Sequence, residues 1–246
     1  MPKLGSETIN TASGFSFSGE SIQGLDGNDH YTLACIAIDC SSSTAGFIDK
    51  MRKVVEDVIN DLKKSKAKNS ILVRISKFYT NQIEELIGYT LPEKIDIASI
   101  VNNIQSGGTT PLYDATVESI ESAASYGKKL ATSYYTTNAV VFVITDGEEN
   151  TSRIVRDANS VRIKIDNVKH EESLESVKTI LIGLCNGQSI NSYLTNYKDA
   201  VGFDDYVNAD LSDSGVFRKL GNFVSESVSS TSQALGTGAP SQSLTF

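Results

Sequence analysis

Three short segments of this 246-residue chain carry oxygen ligands at spacings that suit a hard divalent cation. They are Asp39-Cys40-Ser41-Ser42-Ser43, Ser106-Gly107-Gly108-Thr109-Thr110 and Thr145-Asp146-Gly147-Glu148. Asp39, Ser41, Ser43, Thr109 and Asp146 offer two carboxylates and three hydroxyls, an all-oxygen set that fits Mg2+ or Mn2+. Alternate residues of an extended chain point the same way, so positions 39, 41 and 43 can converge. Gly107 and Gly108 let the backbone bring Thr109 close, and Gly147 permits a sharp turn after Asp146. Softer metal chemistry finds little support. The cysteines, Cys35, Cys40 and Cys185, form no CxxC pair, and His30 and His170 lie far apart.

The segments must be positioned by the elements around them. Leu33–Ile38 is a continuous apolar run, as expected of a strand covered on both faces, and Asp39 follows it directly. Phe47, Met51, Val54, Val55, Val58 and Leu62 recur by threes and fours, the spacing of an amphipathic helix closed by the cationic stretch at 63–68. Ile71–Phe78 reads as a second strand, and Gln82–Tyr89 as a third reached through a hairpin at Thr80-Asn81. Asp96 caps a short helix, and Pro111 opens a longer one carrying Leu112, Ala115, Ile120, Ala123 and Ala124. Ala139–Ile144 and Thr179–Leu184 are further buried strands, with a polar helical segment over 155–172 between them. A helix near 190–197, a weak strand at Tyr206-Val207 and a last helix with Val216, Phe217, Leu220, Phe223 and Val224 complete the pattern. Strands alternating with helices imply an α/β, doubly wound and mainly parallel sheet with helices on both faces. Binding residues in such sheets sit at the carboxyl ends of strands, where Asp39 and Asp146 fall.

Composition sets the outer bounds. Lys and Arg total 22 against 30 Asp and Glu, a net charge of −8, so a nucleic-acid partner held by a broad basic surface is not expected. No run is long and apolar enough to span a bilayer, and the first residues lack the apolar stretch of a secretory signal. The expected setting is therefore cytoplasmic, with a virion as the other setting considered. Residues 1–29 read as a Gly- and Ser-rich arm or short strand pair, 30–228 as the domain, and 229–246 as a flexible Ser-rich tail.

Asp39-x-Ser41-x-Ser43, then Gly-Gly-Thr109, then Thr-Asp146-Gly resembles the metal-ion-dependent adhesion site of von Willebrand factor A domains. The resemblance covers most of the chain, roughly 30–225, and includes the order of the motifs and the strand–helix alternation around them. It implies a six-stranded sheet with one antiparallel edge strand, with the metal at the top. It also implies that Ser41 and Ser43 bind the ion directly, Thr109 directly or through water, and Asp39 and Asp146 partly through waters. The ion would then accept one more anionic oxygen, an Asp or Glu of a partner protein. Intracellular members of the family work beside AAA+ ATPases or within multi-protein assemblies. Ser42 stands where many members have Gly, and Cys40 is unusual at its position.

Plainer readings exist for single residues. Asp39, Ser41 or Ser43 alone would serve as a helix cap, which explains each but not the coincidence of three segments. Asp114, in the first turn after Pro111, favours the helix dipole. Glu148 and Glu149 either shape the rim or are solvated. Cys35 and Cys185 read as small core residues, and Gly183 as a point of close packing. The functional expectation is a metal-dependent protein-binding module and not an enzyme. One alternative is an assembly subunit of a bacterial or viral particle that uses its terminal extensions. The other is a metal-dependent phosphohydrolase with Asp39 as nucleophile, but Ser41 stands where that chemistry needs a second acid, and there is no P-loop or GxGxxG.

Overall fold

The computed structural model describes residues 6–25, 28–185, 187–237 and 246. Eight strands form one sheet in the order β1-β2-β5-β4-β3-β6-β7-β8. They are β1 (Ser6–Asn10), β2 (Ser16–Glu20), β3 (His30–Asp39), β4 (Ile71–Tyr79), β5 (Gln82–Thr90), β6 (Thr136–Thr145), β7 (Ser176–Cys185) and β8 (Asp205–Asp210). The helices are α1 (Ile48–Lys64), α2 (Ile97–Val101), α3 (Leu112–Ala131), α4 (Ala158–Lys169), α5 (Gln188–Val201) and α6 (Val216–Thr237).

The apolar runs are central strands with both faces covered. Leu33, Cys35 and Ala37 of β3 and Ala139, Val141 and Val143 of β6 point to one side, where α3, α4 and α5 supply Ile120, Val161 and Leu194. Ala34, Ile36 and Ile38, with Val140, Phe142 and Ile144, point to the other, against Val55 of α1 and Leu220 of α6. That two-residue alternation under two helical layers makes the strands apolar throughout. β3 pairs parallel with both β4 and β6, which sets the ends of β3 and β6 side by side.

The expected six-stranded sheet matches β3–β8, with β5 as its antiparallel strand. The whole sheet has eight strands because the arm folds into the antiparallel hairpin β1–β2. The hairpin joins the sheet through one parallel pair, Gly19 with Tyr89. Phe17 anchors it, buried edge-on against Tyr89 at 5.9 Å, and the Tyr126 hydroxyl donates to the Glu20 carbonyl at 2.8 Å. Residues 1–5, 26 and 27 of the expected arm lie outside the described residues.

The boundary expected at 228 falls inside a helix. α6 runs on to Thr237, and Val228, Thr231, Ser232 and Ala234 are buried. Two of its buried hydroxyls bond back to the helix, Ser225 Oγ to the Gly221 carbonyl at 3.0 Å and Thr231 Oγ1 to the Ser227 carbonyl at 2.8 Å, while the buried Ser232 hydroxyl has no partner among the described residues. A Ser-rich segment can therefore pack on the sheet as a helix without stranding those two hydroxyls. Residues 238–245 of the expected tail lie outside the described residues.

Candidate metal centre

β3 ends at Asp39 on the side of the sheet facing α3, and β6 ends one residue before Asp146. Thr145 shares the face of Asp39, and its hydroxyl donates to Asp39 Oδ2 at 2.6 Å. The other oxygen, Oδ1, accepts the Ser41 backbone N–H at 2.8 Å. Asp39 is only 2% exposed. Burial pushes its carboxyl up to about 6, although the bonds from Thr145 and Ser41 pull the other way. Burial likewise raises Asp146, against the pull of its bond from Ser43.

Ser41 and Ser43 lie on the turn between β3 and α1. Their hydroxyl oxygens are 3.0 Å apart, and Ser43 Oγ donates to Asp146 Oδ1 at 2.7 Å. Since Ser43 gives its proton to Asp146, Ser41 gives its own to Ser43, and the three form a relay across two strand ends. The Ser41 turn is closed by Thr44, whose hydroxyl donates to the Ser41 carbonyl at 2.8 Å.

The Gly-Gly-Thr segment differs from the expectation at Thr109. Thr109 is exposed, and its carbonyl accepts the Thr80 N–H at 2.9 Å, which ties it to the β4–β5 hairpin. Thr110 is the residue turned inward, 3% exposed. A Cβ placed on Gly147 would lie 3.3 Å from Thr110 Oγ1 and 3.9 Å from Asp39 Oδ2, so both groups border the space over the bare glycine. The turn is fixed by Gly108, with φ at 73°, where a side chain would overlap Thr80. The Gly107 N–H donates to the Cys40 carbonyl at 2.8 Å, and the Ser42 N–H to the Gly108 carbonyl at 3.0 Å. The Gly-Gly pair therefore docks on the first segment and rotates the second threonine, not the first, toward the carboxylates.

Two acidic residues without an assigned ligand role hold the loop that follows β6. Glu149 accepts the N–H groups of Tyr113, Thr151 and Ser152 at 2.7–2.8 Å. Asp114, 5% exposed, accepts the N–H groups of Arg153 and Val155 at 2.7 Å. Asn150 receives the Thr110 N–H at 2.9 Å. Asp114 thus does more than favour a helix dipole: it latches residues 153–155 to the start of α3. Glu149 is a positioning residue for the same loop, whereas Glu148 is exposed.

Cys40 is fully buried and its thiol is pushed up to about 12, first by desolvation, so it stays a thiol beside the site. Cys35 and Cys185 are buried as expected. Gly183 is approached by Tyr206 and Leu194, which would lie 2.6 and 2.7 Å from an added Cβ.

The donor set fits a hard cation. Asp39, Ser41, Ser43, Thr110 and Asp146 are oxygen donors, and the two carboxylates sit in surroundings that disfavour their charge. A divalent ion would offset that charge.

A family model for the von Willebrand factor type A domain matches residues 35–202. A comparison with curated protein sequences gives no match. Among solved structures the chain is similar to the D319A mutant of the PilB minor pilin from Streptococcus sanguinis, at 14% identity and a TM-score of 0.62 over 92% of this chain. It is also similar to the pilus adhesin SpaC from Lactobacillus rhamnosus GG in an open conformation, at 11% identity and a TM-score of 0.60 over 88% of this chain. Proximal thread matrix protein 1 from the mussel byssus, with a zinc-occupied MIDAS motif, gives 15% identity and a TM-score of 0.50 over 83% of this chain. The chain spans 67%, 32% and 46% of those three chains. At such identities the likeness is one of fold, and the family follows from the matched model together with the α/β architecture. The chain belongs to the von Willebrand factor type A domain family, whose members are as a rule non-enzymatic modules of protein–protein interaction.

Proposed function

We propose that the chain is a divalent-metal-dependent protein-binding module, which docks an Asp or Glu of a partner protein within a multi-protein assembly. The observation that carries this reading is the convergence of Asp39, Ser41, Ser43, Thr110 and Asp146 at the ends of β3 and β6. Mg2+ or Mn2+ bound there would supply a positive centre open to one further carboxylate. Ser41, Ser43 and Thr110 would contribute neutral oxygens and so leave most of that charge uncompensated. Asp39, braced by Ser41 and Thr145, would fix the position of the cluster from beneath.

The geometry argues against the competing readings. As a nucleophile Asp39 is poorly placed, being buried with both oxygens already engaged. As for assembly through terminal extensions, the described parts of both ends pack on the domain itself, the hairpin through Phe17 and α6 through Val228.

Water-proton relaxation of the Mn2+-loaded protein tests the proposal. A bound Mn2+ with open positions enhances relaxation, and acetate entering one of them lowers the enhancement. A loaded site whose enhancement acetate leaves unchanged would contradict carboxylate docking.

A further inference from the structure

Beside the cluster lies a cleft of about 380 Å³, with Ser43 and Asp146 at one end. Phe47 just before α1, Leu211 after β8 and Phe217 of α6 form its half-buried walls, and Leu184 closes its floor. The two phenylalanine rings lie 5.9 Å apart at 38°, a tilted pair in contact that forms one aromatic wall of the cleft. Lys50, exposed on α1, sits 5.4 Å from the Phe217 centroid. Among the described residues it has no carboxylate partner, whereas nearby Lys219 is held by Asp213 at 2.7 Å. On a chain of net charge −8, an apolar cleft with an unneutralised lysine at its rim favours an acidic, apolar visitor.

Resting on the metal-docking reading above, we infer that the partner segment is an acidic–aromatic one. Its Asp or Glu reaches the metal cluster, a neighbouring large apolar side chain enters the cleft against the Phe47–Phe217 pair, and a second carboxylate meets Lys50. The cleft thereby selects among the many acidic residues that a bare cation would accept. Burying a ring against that pair and Leu211 adds apolar contact that acetate cannot make.

Three small acids on the full chain test this, read by amide chemical-shift titration with Mg2+ and again in EDTA. Acetate offers the carboxylate alone, 3-phenylpropionate adds the ring, and benzylsuccinate adds a second carboxylate. The expected order of affinity in Mg2+ is benzylsuccinate, then 3-phenylpropionate, then acetate, with about a tenfold gain for the ring. EDTA should abolish all three. Phe217→Ser should remove the gain from the ring while acetate still binds, which also reports an intact cluster. Lys50→Gln should remove only the benzylsuccinate advantage. Equal binding of acetate and 3-phenylpropionate in Mg2+ would overturn the cleft proposal and leave metal docking standing. If no acid bound the Mg2+-loaded protein, the docking reading would fall and take the cleft with it. Binding of 3-phenylpropionate retained in EDTA would overturn the two-point mode.

Discussion

Ser43 Oγ donates to Asp146 Oδ1 at 2.7 Å across 103 residues of sequence, joining the turn after β3 to the turn after β6. Ser41 feeds the same relay through Ser43 at 3.0 Å. Both hydroxyl protons are thus directed along the cluster. Cation binding must turn them outward so that the oxygen lone pairs face the ion. The hydroxyls serve the metal-free form as hydrogen-bond donors and the loaded form as ligands.

Ser43→Ala should therefore separate folding from metal binding. Ser43 is exposed, so its loss should cost the metal-free fold less than about 1 kcal/mol. Mg2+ affinity should fall at least about tenfold with the lost ligand. Calorimetric titration of Mg2+ into the variant, with urea unfolding in EDTA beside it, checks both halves.

Asp39 makes the metal-free protein pH-sensitive in a definite direction. Its folded carboxyl is held at about 6 by burial, above the value of about 4 for an unfolded chain. The folded state thus binds the proton more tightly, and its contribution to stability is full below about pH 4 and lost as pH rises through about 6. Asp39→Asn removes that charge and should raise metal-free stability near neutral pH by on the order of 1–2 kcal/mol, while abolishing stabilisation by Mg2+. Urea unfolding in EDTA across this window, on wild type and variant, is the check. The difference between them should grow with pH.

The two threonines should behave oppositely. Thr110→Ala removes a buried hydroxyl next to Asp39 and should weaken Mg2+ binding about tenfold or more. Thr109→Ala changes an exposed side chain and should leave binding within about twofold. Parallel Mg2+ titrations decide which threonine belongs to the centre.

Asp114→Ala should loosen the loop at 153–155 from α3. It strands N–H groups that the carboxylate now accepts at 2.7 Å, at a cost of about 2–4 kcal/mol. Amide hydrogen exchange should show faster exchange at Arg153, Ile154 and Val155, with β3 and β6 still protected. Unchanged exchange there would mean that the loop is held by other bonds.

Most of the scaffold was legible because its periodicities are strong. The apolar runs at 33–38, 139–144 and 179–184 are central strands, and Thr80-Asn81 is a tight turn with both residues at positive φ. Asp96 accepts the Ser99 N–H as a cap, and α3 begins just after Pro111. Asp39, Ser41, Ser43 and Asp146 lie together in the fold, joined by the hydrogen bonds of Ser41 and Ser43. The choice between Thr109 and Thr110 was not legible, because it depends on how Gly107 and Gly108 dock on Cys40 and Ser42 from another part of the chain. The adjacency of Thr110 to Pro111, where the loop becomes helix, was the available signal. The hairpin at the first residues was one of two readings, an arm or a short strand pair, because small polar side chains left only the weak alternation of Phe15, Phe17 and Ile22. The end of α6 was read as a tail because serine is favoured in loops, whereas here burial and back-bonding to the helix decide.

On the proposed function, Asp39, Ser41, Ser43, Thr110 and Asp146 hold a divalent ion. Thermal unfolding of the full chain in EDTA and in rising Mg2+ tests it most directly, repeated on Ser41→Ala/Ser43→Ala. A ligand that binds only the folded state raises the midpoint with its concentration. The midpoint should climb by several degrees through the millimolar range in wild type and stay flat in the double variant. A wild-type midpoint indifferent to Mg2+ and Mn2+, or an equal rise in the variant, would contradict it.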